Sequence, residues 1–176
     1  MNEFINNLLL RIGLIDYLEM DFNVSKEDFK NKLLKSTDTD HGLNLFEALG
    51  SSENDYVGLI SENNFTLRRR RQLFDFSYGL IKFEGNYNQN NATTRLDLKI
   101  CIKSILLILV SFFLIFGYGI AIGSLLLSQT DEKLVILPFL IIHGIFMFSI
   151  FFFMFKYQIK RSKKNIERDL FFMMYK

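Results

Sequence analysis

Apolar residues are concentrated in two long runs in the second half of the chain. Residues 104–127 form an uncharged run of 24, residues 134–155 form a run of 22, and each run contains sixteen Leu, Ile, Val or Phe residues. At about 1.5 Å per residue, a helix of either length spans the hydrocarbon core of a bilayer, which is about 30 Å thick. The intervening residues 128–133 allow only a tight turn. The pattern therefore predicts two antiparallel transmembrane helices joined as a hairpin.

The first hundred residues mix apolar and charged positions, and their periodicity predicts a folded domain. Residues 17–23 alternate apolar and polar positions, which is the period-two pattern of a strand buried on one face. Ser25 and Asp28 form a capping box, which predicts a helix over residues 26–36. The turn-rich residues 37–55 are expected to hold at most a short helical piece around residues 43–49.

Four further runs in this domain have the composition of strands and are separated by short, turn-forming connections. They are residues 56–61, 65–72, 80–87 and 94–102, with residues 88–91 as the last loop. Such short connections predict an antiparallel meander. In the final run apolar and polar positions alternate, so one face of the sheet is apolar and requires the predicted helix. The predicted fold class is α+β: a small antiparallel sheet with one packing helix, followed by a transmembrane α-helical hairpin.

These patterns divide the chain into three parts. We predict a soluble domain at 1–100, the hairpin at 101–157 and a basic amphipathic helix at 158–176. The apolar side of that last helix consists of Ile159, Ile166, Leu170 and Met174. Two placements of this side stay open: on the bilayer surface, or docked on the sheet.

The distribution of basic residues predicts the orientation of the hairpin. Arg95, Lys99 and Lys103 precede the first apolar run, six Lys and Arg residues follow the second run within residues 156–168, and the connecting loop carries one Lys. The positive-inside rule therefore places both termini in the cytoplasm. The N-terminus has no basic start and no long apolar stretch, so it does not resemble a signal peptide. Cys101 is the single cysteine, which excludes an internal disulfide.

Four consecutive arginines, Arg68, Arg69, Arg70 and Arg71, are the most distinctive feature of the soluble domain. On a strand they alternate between the two faces, so no face carries all four. One interpretation is a contact for anionic lipid or a phosphate-bearing ligand, to which Lys103, and Lys160 and Arg161 after the hairpin, would contribute. The alternative is a solvated edge strand whose arginines pair with the carboxylates of the domain.

Within the apolar runs, two features indicate helix packing. Gly119 and Gly123 form a Gly-x-x-x-Gly motif, which we interpret as packing against the second helix of the same chain, with homo-oligomerisation as the alternative. Tyr118 and His143 are both tenth from the loop when counted inward, so they are expected at similar depth. We predict a hydrogen bond between them, with a structural rather than a proton-relay role.

Motifs of enzymatic chemistry are absent from the sequence. There is no Walker loop, no His-x-x-x-His, no Cys-x-x-Cys and no Gly-x-Ser-x-Gly, and His41 is the only histidine before the hairpin. We therefore expect a non-enzymatic protein, and we assign no catalytic residue, metal site or cofactor. We also expect no nucleic-acid partner.

The order of the strand-like runs also carries a resemblance. Tyr56-Val57-Gly58-Leu59-Ile60 is followed by Phe65-Thr66-Leu67-Arg68-Arg69, then by residues 79–85 and 94–102, and then by the apolar hairpin. In this order the chain resembles small uncharacterised bacterial membrane proteins of the Bacteroidota type over residues 15–160. The resemblance implies an N-terminal α+β domain with a two-helix hairpin in the bacterial inner membrane. It implies no activity.

Two functions follow as hypotheses. The first is a membrane-tethered binding or scaffold module, with the bilayer, anionic lipid and a protein partner of unknown identity as its contacts. The alternative is a pore-forming or membrane-disrupting effector, in which the soluble domain acts as a sensor and the hairpins form a homo-oligomer through Gly119 and Gly123.

Overall fold

The chain folds into two compact units. The computed structural model describes residues 3–40, 54–70, 80–128 and 133–175. One unit comprises residues 1–102 together with 158–176, and the other comprises residues 103–157. The short helical piece expected at 43–49, as well as His41, lies outside the described residues. The C-terminal residues are thus grouped with the sheet domain.

Among the described residues, two short helices and six strands precede the two long helices at the end of the chain. The elements are α1 (Glu3–Arg11), β1 (Ile15–Phe22), α2 (Lys26–Lys35), β2 (Thr37–Thr39), β3 (Tyr56–Ile60), β4 (Asn64–Arg69), β5 (Ile81–Asn90), β6 (Thr93–Ile102), α3 (Ser104–Leu127) and α4 (Lys133–Tyr175). The predicted cap of α2 is present, since the amide of Asp28 donates to Oγ of Ser25 over 3.1 Å. Helix α1 was not predicted.

The described strands form one six-stranded sheet in the order β1-β6-β5-β4-β3-β2. Strands β3 to β6 form the predicted antiparallel meander. The prediction of a small, purely antiparallel sheet is wrong, because β2 pairs in parallel with β3 and β1 extends the sheet beyond β6. Alternation along β1 predicts which face is buried but not which strand lies beside it.

The connection between β5 and β6 is tighter than the sequence predicted. Strand β5 continues to Asn90 and β6 begins at Thr93, so the loop is the pair Asn91-Ala92 rather than residues 88–91. Asn91 has a φ of 55°. A short hairpin loop requires positive φ, and Asn tolerates this conformation better than most residues.

The core lies on one face of the sheet, here called the core face, under two helical elements. Phe29 and Leu33 of α2 are completely buried there, with the Phe29 ring 5.4 Å from that of Phe22. The second element is the part of α4 from Gln158 to Tyr175, here called the C-terminal segment. Its four predicted apolar residues, Ile159, Ile166, Leu170 and Met174, are all at most 2% exposed. The prediction of one packing helix is therefore wrong, and the segment docks on the sheet.

Helix α1 belongs to the opposite face of the sheet, here called the outer face. Lys99 alternates along β6 with buried Leu98 and Ile100, and its Nζ donates to Oδ1 of Asn6 in α1 over 3.4 Å. The outer face also holds a network of charges, in which Glu84 lies 2.7 Å from Lys82 and 3.9 Å from Lys99. One face is thus apolar and covered, while the other is polar and only partly covered by described residues.

The second unit contains α3 and the first part of α4. Both helices are long and apolar enough to cross a membrane, as judged by length and composition. Most of their large apolar side chains are exposed within the chain, including Phe112, Phe116 and Phe146. Apolar surface of this extent suggests membrane association.

Candidate functional site

The arginine run begins in the interior of the sheet. Strand β4 is hydrogen-bonded to β3 on one side and to β5 on the other, so the interpretation of an edge strand is wrong. Arg68 is 5% exposed, and its Nε and Nη2 donate to the two carboxylate oxygens of Asp40 over 3.2 and 2.9 Å. This two-point geometry is the strongest form of a guanidinium–carboxylate pair.

The next two arginines also face carboxylates of their own domain. Arg70 contacts the carboxylate of Asp38, and its Nε donates to the backbone oxygen of Asn54 over 3.1 Å. Arg69 lies on the core face, half-buried, with Nη2 3.9 Å from Asp55. Arg71 lies outside the described residues. The structure therefore brings Arg68, Arg69 and Arg70 to carboxylates of their own domain, which compensate their charges locally.

The predicted basic residues after the hairpin have a different environment. Lys160 and Arg161 are exposed at the start of the C-terminal segment, as are Lys156 before it and Lys164 one turn further on. None of the four forms a salt bridge with another described residue. Lys103, the last predicted lipid contact, is half-buried and is the single residue that separates β6 from α3 in the sequence.

The C-terminal segment is fixed to the sheet domain along its whole length. Nζ of Lys163 donates to Asp16 over 2.8 Å near its start, and the backbone amide of Asn23 donates to the hydroxyl of Tyr175 over 3.2 Å at its end. Between them, the hydroxyl of Tyr56 donates to Oδ2 of Asp169 over 2.7 Å. Burial and the Asp169 carboxylate both raise the pKa of Tyr56 above its ordinary value. No local pattern in the sequence predicts these three partners, because they come from distant parts of the chain.

In the hairpin unit, Tyr118 and His143 form the predicted hydrogen bond. Tyr118 Oη lies 2.6 Å from Nδ1 of His143. A Cβ placed on Gly144 would lie 3.4 Å from the Tyr118 ring, so a glycine on α4 provides the room for this tyrosine. An open groove of about 390 Å³ runs beside this contact, and its lining includes Ile122, Leu140, Phe148 and Ser149.

The sequence favoured packing of the Gly-x-x-x-Gly motif of α3 against the second helix of the same chain. In the structure, the motif does not make this close contact. A Cβ placed on Gly119 or Gly123 would meet no described atom within 4 Å, and the same holds for Gly117. The two helices touch through Tyr118 and Gly144 instead. Gly119 and Gly123 therefore leave a surface of α3 open to another helix or to lipid.

Few groups in the described residues suit catalysis or metal binding. No three His, Cys, Asp or Glu side chains there are grouped so that they could hold a metal ion. Cys101 is half-buried on the outer face, where burial raises the pKa of its thiol, and its Sγ lies 3.7 Å from the carbonyl oxygen of Lys82. A raised pKa disfavours the reactive thiolate.

Comparison with protein-family models, with curated proteins and with solved structures finds no match for this chain. The class of protein is therefore defined by its architecture alone: an α+β domain with a six-stranded mixed sheet and two long apolar helices.

Proposed function

We propose that this chain is a non-enzymatic, membrane-tethered binding or scaffold module. The observation that carries the proposal is the docking of the C-terminal segment, which buries Ile166, Leu170 and Met174 in the core of the sheet domain. The domain is thereby built from the residues on both sides of the hairpin. A hairpin inserted in a bilayer would hold such a domain at two points in the chain, with both termini in the cytoplasm.

The basic residues beside the second connection are the proposed contacts for anionic lipid. Lys160 and Arg161 are exposed and form no salt bridge with another described residue, whereas Arg68 is buried against Asp40. Each basic residue near an anionic surface contributes about 1 kcal/mol, which is about fivefold in lipid occupancy. In this proposal, the arginine run therefore contributes less to lipid binding than Lys160 and Arg161 do.

Native mass spectrometry of the full chain tests the proposal by reading subunit number and retained lipid together. The protein is released from membranes that contain phosphatidylglycerol, in the wild-type form and as Lys160→Glu. We expect the wild-type protein to be a monomer or dimer that retains anionic lipid. In Lys160→Glu, the lipid occupancy should fall about fivefold for each unit of charge changed. Lys35→Glu is the matched control, because Lys35 is an exposed lysine at the end of α2.

Two outcomes would overturn the proposal. Equal loss of lipid in Lys160→Glu and Lys35→Glu would remove the assigned lipid contact. A ring-sized oligomer would favour a different function altogether.

That second candidate is a pore-forming or membrane-disrupting effector, and the open face of α3 favours it. Gly119 and Gly123 make no contact with described residues of their own chain, and small residues allow close approach of helices within a bilayer. If the chain has this function, its overproduction should depolarise cells. The double variant Gly119→Leu, Gly123→Leu should abolish the depolarisation. Gly117→Leu is the control, because Gly117 is equally open but lies on another side of the helix. Overproduction without depolarisation would contradict this candidate.

The predicted resemblance to Bacteroidota-type membrane proteins would place either function in the bacterial inner membrane. The comparisons do not test that placement, and it stays a prediction.

A further inference from the structure

Helix α1 presents an apolar side that the described residues leave uncovered. Phe4 is 78% exposed and Leu8 is 48% exposed, and these two residues are four positions apart on one side of the helix. Arg11 continues that side one turn further on and is also exposed. A helix with one apolar side and one polar side is typical of helices that lie in the boundary between headgroups and acyl chains.

The topology of the first unit places α1 at a particular end of the sheet. Ile15, which follows α1 after a short turn, lies opposite Cys101 in the register of β1 and β6. Strand β6 ends one residue later, at Ile102, and only Lys103 separates it from α3. The contact between Lys99 and Asn6 keeps α1 itself near this end.

The C-terminal segment enters the sheet domain at the same end. Lys163, in its second turn, contacts Asp16 near the start of β1, whereas Tyr175 contacts Asn23 just beyond the end of β1. The segment thus runs from the Ile102 end of the sheet towards the Phe22 end. Both chain connections to the apolar helices and α1 consequently lie at one end of the sheet, here called the exit end.

We propose that α1 is an interfacial helix, which inserts the side of Phe4 and Leu8 into the surface of the bilayer that the apolar helices cross. This inference rests on the membrane tether of the proposed function. Two residues of extended chain span at most about 7 Å, so a helix that enters the bilayer at Ser104 keeps Ile102 close to the headgroups. An interfacial helix reaches about 5–10 Å into that boundary. The lipid surface is therefore within reach of the exit end, and α1 is the element there with uncovered apolar side chains.

The chain contains no tryptophan, so a single introduced tryptophan reports on its own surroundings. Phe4→Trp and Leu8→Trp are placed in the full chain, reconstituted in phosphatidylcholine–phosphatidylglycerol vesicles whose acyl chains carry bromine near the headgroup. Bromine quenches tryptophan fluorescence only at close range. Phe172→Trp is the matched control. Phe172 is 60% exposed, but it lies about 21 Å along the helix from Gln158 and therefore away from the exit end. Phe112→Trp in α3 lies about 12 Å along the helix from Ser104, so it is measured in matching vesicles whose bromine sits deeper in the acyl chains, where it reports whether the hairpin is inserted.

The expected result is that both α1 probes are quenched several-fold more strongly by brominated lipid than Phe172→Trp, and are less accessible to aqueous iodide. If the α1 probes are quenched no more than Phe172→Trp while Phe112→Trp is quenched strongly, the inference about α1 is overturned and the tether stands. If Phe112→Trp is itself unquenched, the hairpin is not in the bilayer. In that case the proposed function fails, and this inference fails with it.

Discussion

The hydroxyl of Tyr56 in β3 donates a 2.7 Å hydrogen bond to Oδ2 of Asp169 in the C-terminal segment, across 113 residues of sequence. Tyr56 is 1% exposed, and its ring packs edge-on against that of Phe83. The bond links the sheet to the helix that follows the hairpin, so the stability of the domain depends on residues from both sides of the hairpin.

Tyr56→Phe keeps the ring and removes only this hydrogen bond. A hydrogen bond to a charged acceptor contributes about 1.5–3 kcal/mol to the free energy of unfolding. We expect a loss at the lower end of this range, because Asp169 also accepts a hydrogen bond from Arg168. Hydrogen exchange of the full chain in detergent should show faster exchange in the C-terminal segment. Tyr17→Phe is the control, since Tyr17 is half exposed on the outer face, and an equal effect of both variants would contradict the assignment.

The same tyrosine predicts a dependence of stability on pH. The pKa of Tyr56 is raised above its ordinary value of 10.0 by burial and by Asp169, so the folded chain keeps a proton that the unfolded chain loses above about pH 10. Stability is therefore fully present below pH 10 and falls above it, by up to about 1.4 kcal/mol per pH unit for one proton. Thermal unfolding of Tyr56→Phe should decline less steeply over this range. Parallel curves for the two proteins would contradict the prediction.

Leu170→Ala tests how much the docked segment contributes to the domain. Leu170 is completely buried, so its truncation should lower the free energy of unfolding by about 2–5 kcal/mol. Phe172→Ala, two residues away and 60% exposed, should have little effect. The measurement is denaturant unfolding followed by near-ultraviolet circular dichroism. Equal effects would show that the segment is not docked in solution.

Arg68→Ala tests whether the arginine run has a structural role. Its loss leaves the Asp40 carboxylate without its two-point partner, and we expect a destabilisation of about 2–3 kcal/mol, less than for a fully buried pair because Asp40 is 28% exposed. Arg95→Ala, which removes an exposed arginine paired with Glu19, should change stability little. Unchanged stability in Arg68→Ala would show that the pair with Asp40 does not stabilise the domain.

The elements that the sequence predicted well are those set by local periodicity. The capping box at Ser25 and the amphipathic pattern at Ile166 and Leu170 each depend on neighbours within a few turns. Helix α1 has the same kind of local signal in the spacing of Phe4 and Leu8.

The incorrect predictions concern neighbours that are distant in sequence. Alternation in β4 places Arg68 and Leu67 on opposite faces of the sheet. It does not reveal that β4 lies between β3 and β5, or that Asp40, just after β2, pairs with Arg68. Likewise, spacing identifies Gly119 and Gly123 as a packing surface without saying which helix uses it. Pairing of this kind is decided by tertiary contacts, which a single sequence does not encode locally.

The pair of Tyr118 and His143 allows a direct test of whether the polar groups of the hairpin hold its helices together. Tyr118→Phe and His143→Phe each keep an aromatic ring, and His143 also stacks near Phe139, so both variants preserve most of the packing. Hydrogen bonds between membrane helices contribute about 0.6 kcal/mol on average and up to about 1.7 kcal/mol. We expect a coupling energy in that range from the double-mutant cycle, measured by unfolding in mixed micelles. Additive effects would show that the 2.6 Å contact adds no stability, and the function of His143 would then have to be sought in binding rather than in packing.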